Sequence, residues 1–60
     1  MIYISKKRNP LVVLGKVKLY MERNGNTELE VEDFVKQALG RTTPRIIEIA
    51  RTYIDDLTCD

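Results

Sequence analysis

Ala38-Leu39-Gly40-Arg41-Thr42-Thr43-Pro44-Arg45-Ile46-Ile47-Glu48-Ile49 is the stretch on which the reading of this chain turns. An apolar helical pattern runs into Gly40, polar residues follow, and a second helical pattern begins at Pro44, whose fixed φ suits a first helical position. Two helices joined by so short a turn cross steeply. The stretch therefore predicts a corner, with Leu39, Ile46 and Ile49 packed on its inside.

Upstream of the corner, Val31, Phe34, Val35, Ala38 and Leu39 keep helical spacing, and Glu32 and Asp33 stand where a helix dipole favours acids. Thr27 and Glu30 have the spacing of a capping box, or Leu29 precedes the cap and staples onto Phe34. A helix is expected over about residues 30–39, with Glu28 to Glu30 open to an extended conformation. Downstream, Thr42 or Thr43 caps a helix over about residues 44–56. Its inward stripe is Ile46, Ile49, Ala50, Tyr53 and Leu57, with Ile47 and Ile54 at the edge. Asp55, Asp56 and the terminal carboxylate oppose the dipole by a few tenths of a kcal/mol each, so this helix frays beyond Ile54.

Further out, Asn9-Pro10 is a cap followed by a first helical residue, and Val13, Leu14, Val17, Tyr20 and Met21 form one stripe of a helix over about residues 10–24. Gly25 closes it as a left-handed cap. Gly15 costs that helix about 1 kcal/mol relative to Ala, and Val12 and Leu19 sit off the stripe. A rival reading makes Val17, Leu19 and Met21 a strand that turns at Asn24-Gly25 into Leu29 and Val31. At the start, Ile2 and Ile4 alternate with Tyr3 and Ser5, which suggests a short strand before the basic loop Lys6-Lys7-Arg8. The expected fold is thus mainly α: a short N-terminal strand and three helices, with a helix-turn-helix and no room for a C-terminal wing. Residues 1–60 form one small domain, with a strand and basic arm over 1–9 and a helical core over 10–57.

Composition narrows the function. Sixty residues bury only about 60% of the unfolded surface, so a homodimer is expected to supplement a marginal core. With 43% apolar and 32% charged residues the chain reads as globular, and no apolar run approaches the roughly 20 residues of a membrane span. Leu11 to Leu14 is too short for a signal-peptide core, which points to a cytoplasmic setting, nucleoid-associated or in a host cytoplasm for a viral chain. Cys59 has no second Cys and no His to share a metal with, and the absence of histidine removes the commonest acid-base and nucleophile-activating group. Gly15, Gly25 and Gly40 stand alone, so there is no phosphate-cradling loop. No enzyme activity, cofactor, metal or small-molecule ligand is expected.

Charge is distributed unevenly. Residues 1–23 carry Lys6, Lys7, Arg8, Lys16, Lys18 and Arg23 against Glu22, whereas residues 24–60 hold eight acids and four cations. Such asymmetry suits a one-sided contact with a polyanion, and a solvated dipolar surface is the alternative. Lys6, Lys7 and Arg8 either reach a phosphate backbone or merely keep a loop soluble.

Glu30 to Ile49, with the Pro10–Gly25 helix ahead of it, resembles the helix-turn-helix core of small prokaryotic and viral winged-helix or related transcriptional regulators, a likeness that covers residues 10–57 in three-helix order. The resemblance implies a DNA-binding regulator in which Thr42, Thr43, Pro44, Ile47, Glu48 and Arg51 lie on the outer side of the recognition helix. The N-terminal residues of such a helix meet base edges in the major groove, while Arg41 and Arg45 touch phosphate. Lys36 stands where many members have a small residue, and Ile47 serves either the groove or a partner subunit. Ile2 to Pro10, with Ala38-Leu39-Gly40-Arg41 and Arg45 to Ala50, is similar instead to the first strand, glycine-arginine loop and second helix of the Alba family. That likeness implies a strand at 33–38 and binding of DNA or RNA through Lys6, Lys7, Arg8 and Arg41. A ribbon-helix-helix dimer with residues 2–6 as the ribbon stands third. The competing class is a protein-interaction module with Ile47, Ile54 and Val12 as its contact.

Overall fold

The computed structural model describes residues 1–59. Its elements run β1 (Ile2–Ile4), α1 (Pro10–Arg23), α2 (Glu28–Ala38), α3 (Thr43–Ala50) and β2 (Leu57–Cys59). The chain is mainly helical, as the patterning predicts, and local chemistry sets most boundaries. Asn9 is extended and its Oδ1 accepts the Leu11 N–H at 2.8 Å, with Pro10 opening α1. At the other end Gly25 takes φ 86°, and the Asn26 N–H reaches back to the Met21 carbonyl at 3.1 Å, the 6→1 bond of a Schellman ending. Val17 to Met21 is therefore helix and not the strand of a hairpin.

The Thr27–Glu30 capping box is present in both directions: Thr27 Oγ1 accepts the Glu30 N–H at 3.2 Å, and Glu30 Oε1 accepts the Thr27 N–H at 2.9 Å. It starts α2 at Glu28, so Glu28 to Glu30 are helical, and Leu29 is 78% exposed and staples nothing. Residues 33–38, a strand in the Alba likeness, are helix throughout.

α1 packs on both α2 and α3, and α2 on α3. Phe34, Met21 and Val17 are wholly buried between them with Val13 and Ile46, and Phe34 meets Tyr53 edge-on, ring centroids 6.2 Å apart. Truncating a buried Phe to Ala costs about 3–5 kcal/mol, comparable with the whole stability such a small core supplies.

The last third departs from expectation. α3 stops at Ala50 rather than near residue 56, because Thr52 Oγ1 bonds the Ile49 carbonyl at 2.6 Å and Arg51 to Ile54 wind down in tighter turns. Asp55 and Asp56 thus lie outside the helix they were expected to destabilise; Asp60, in the expected domain and its carboxylate, lies outside the described residues. Leu57 joins no helical stripe but begins β2, which pairs with β1 in parallel, Ile2 opposite Leu57 and Ile4 opposite Cys59. That pairing gives the backbone of β1 its partners while Ile2 and Ile4 enter the core. It also turns β1 toward its own chain, in a parallel pair that a ribbon-helix-helix dimer does not use.

Three side chains near the corner move with it. Leu39 is extended and 60% exposed, not inside, because the chain leaves α2 there to reach Gly40 at φ 79°. Ile47 is buried, covered from the side of the chain ends, where Lys6 and Cys59 border it. Ile54 is buried as well, so neither isoleucine is available to a partner surface.

Candidate nucleic-acid interface

The corner spans residues 39–42, between α2 and α3. Arg41 follows Gly40, its N–H bonds the Ala38 carbonyl at 3.1 Å, and its guanidinium Nε lies 3.4 Å from the Gln37 carbonyl, where cations favour a helix end. Thr42 is the extended residue ahead of α3; its carbonyl accepts the Ile46 N–H at 2.9 Å, while its side chain makes no capping bond and stays exposed. Thr43 is different. It is only 4% exposed, and its Oγ1 donates to the Arg8 carbonyl at 2.6 Å, so it cannot lie on the outer side of the helix as expected.

That bond ties the basic loop to the start of α3. The loop turns tightly, with the Arg8 N–H on the Ser5 carbonyl at 3.1 Å and the Lys7 N–H on Ser5 Oγ at 3.3 Å. Lys6 shares a shallow depression with Pro44, Glu48, Arg51 and Cys59, while Asn9 and Pro10 share another with Gly40 and Arg41. Lys6, Lys7 and Arg8 are thereby brought against the corner although more than 30 residues of chain intervene. Arg45 and Glu48 on α3, and Arg51 just past its end, are exposed one turn apart. Arg45 pairs with Glu48 at 3.1 Å, and Arg51 Nη2 donates to Cys59 Sγ at 3.0 Å.

Among the described residues, Lys6, Arg51 and the acid Glu48 meet at one depression and Arg41 borders the other, while Lys7, Arg8, Thr42 and Arg45 are exposed. Thr43, also an expected site residue, is turned inward and serves as the latch. Both the latch and the Arg51–Cys59 contact escape a reading of the sequence: one depends on which of two adjacent threonines turns inward, the other on the placement of β2. The acids Glu28, Glu30, Glu32 and Asp33 occupy the other end of α2, a helix about 16 Å long.

The displaced pKa values lie away from this surface. The Thr27 backbone N–H, with the Thr27 hydroxyl, holds the Glu30 carboxyl below its usual range. The Met1 amino group, 2.8 Å away, and the Tyr20 hydroxyl, 2.6 Å away, do the same for Asp56, and bonding to that carboxylate raises Tyr20. All three belong to structural closures. Among the described residues no group of His, Cys, Asp and Glu comes together as metal ligands, and no helix is long and apolar enough to cross a membrane. No family model matches the chain, and no curated protein or solved structure matches it significantly.

Proposed function

We infer that this protein binds double-stranded DNA through the α2–α3 corner and acts as a small regulator of transcription. The observation that carries the reading is the Thr43–Arg8 bond, which draws a tricationic loop against α3, where Lys6 shares a depression with Arg51. α3 has eight residues and is about 12 Å long, a fit to a major groove about 12 Å wide. With its start in the groove, Thr42, Glu48 and Arg51 meet base edges, while Arg41, Arg45 and the loop cations meet phosphates. Neutralising three to six phosphates makes log K fall with log salt at a slope of about −3 to −5.

The test is fluorescence anisotropy with a labelled 20-base-pair duplex across a salt series, with duplex RNA and single strands as comparators. Arg45→Ala with Arg51→Ala should weaken duplex DNA binding by about ten- to a hundredfold and shallow the salt slope, with the melting temperature nearly unchanged. Undiminished binding of the double variant at low salt would refute the assignment, and preference for RNA would redirect it.

A further inference from the structure

Glu48 is an acid in two unfavourable places. It is the one acid of α3 and stands in the last turn of that helix, where the dipole favours cations. It is also exposed beside the basic loop, bordering a shallow depression with Lys6 and Arg51. A carboxylate there repels a phosphate backbone. The fold draws little from it in return: its ion pair with Arg45, at 3.1 Å, joins side chains that are 70% and 56% exposed, and α3 is held by Ile46, Ile47, Ile49 and Ala50. An acid set against both local rules marks a functional position.

We propose that Glu48 selects cytosine, an inference that rests on duplex DNA binding through this corner. An ionised carboxylate only accepts hydrogen bonds, and in the major groove the base donors are the amino groups of cytosine and adenine. Adenine places the N7 acceptor beside its amino group, where a carboxylate oxygen meets a lone pair. Cytosine places a C–H there. The rim of the depression points the same way. It sets the acceptor Glu48 beside the donor Arg51, and a C·G pair sets the N4 donor of cytosine beside the O6 and N7 acceptors of guanine. An A·T pair instead places its one donor between two acceptors. Arg45 engages Oε1 of Glu48, which leaves Oε2 to the base. Glu48 thus weakens contact with every duplex that lacks the cytosine, and discrimination comes from that repulsion as much as from the new bond.

Selection from a pool of duplexes with a randomised core tests this, with anisotropy on the selected sequence and circular dichroism as the folding control. The wild type should enrich C·G at one position. Glu48→Gln, whose amide reads adenine N6 and N7, should enrich adenine there instead, and Glu48→Ala should show no preference there. Both variants should bind unselected duplexes more tightly than the wild type, with helix content retained. In the selected duplex, N4-methylcytosine at that position puts a methyl group where the carboxylate accepts. It should weaken wild-type binding about tenfold and leave the Glu48→Ala affinity as it is. A wild type that binds duplexes but enriches no cytosine dependent on Glu48, or a Glu48→Gln pool identical to the wild-type pool, would overturn the cytosine assignment and leave DNA binding standing. A wild type that retains no duplex at low salt overturns both.

Discussion

A single hydroxyl separates two neighbouring threonines in role. Thr42 and Thr43 are equivalent in the sequence pattern, but one residue of helix is a rotation of about 100°, and that carries Thr43 inward onto the Arg8 carbonyl. Thr43→Val keeps the branched shape and leaves the carbonyl without its donor, at about 1–2 kcal/mol, or roughly 4–16 °C in the melting temperature of so small a domain. Thr43→Ser should restore most of the stability. Thermal melts read the first effect, and duplex anisotropy should show affinity falling in the valine variant and recovering in the serine. The misread residues are instructive at this scale. Leu39 follows the helical spacing of α2, but Gly40 takes a positive φ and the chain swings Leu39 outward. Ile47 is covered by chain ends that no periodicity within α3 can announce.

At the scale of elements, most of what is coded locally was legible, the early end of α3 beside the Thr52–Ile49 bond being the exception. Asn9-Pro10, the Thr27–Glu30 box, Gly25 and Gly40 each act within a few residues, and the three helices follow from them and from the apolar stripes. The capping box is the clearest case: Thr27→Ala should destabilise the fold by about 1 kcal/mol, a drop of about 4–8 °C. Most of the effect should persist when Glu30 is already Ala, because Thr27 Oγ1 accepts the Glu30 backbone N–H and only one bond, Thr27 Oγ1 to Glu30 Oε1 at 3.1 Å, joins the two side chains; thermal melts of a double-mutant cycle measure this. β2 was not legible. Leu57-Thr58-Cys59 continues an apolar helical spacing, and only the presence of β1 from the far end of the chain makes it a strand. The candidate site divides the same way: the cations of α3 and the corner are visible as a local pattern, whereas the docking of Lys6, Lys7 and Arg8 beside them is a tertiary fact.

For the molecule as a whole, Asp56 clasps the Met1 amino group and the Tyr20 hydroxyl, joining the chain start, α1 and the segment before β2. Its folded-state pKa is depressed, so its contribution is present above the ordinary aspartate pKa and lost as pH falls through the depressed value. Tyr20 is raised, so its contribution is present below the ordinary tyrosine pKa and lost as pH rises through the raised value. Melting temperature against pH should therefore decline on both limbs. Asp56→Asn should flatten much of the acid limb, with Glu30 supplying part of the remainder, and Tyr20→Phe should flatten the alkaline one. The parallel pairing beneath this clasp also has a mechanical meaning. Since Ile2 lies opposite Leu57 and Ile4 opposite Cys59, the two ends of the chain leave the sheet in opposite directions. Tension between them drags β1 along β2, loading all their bonds at once instead of peeling them one after another. The smallest elements of the fold thus stand in series ahead of every helix, and a pulling force must rupture them in shear before it reaches the core.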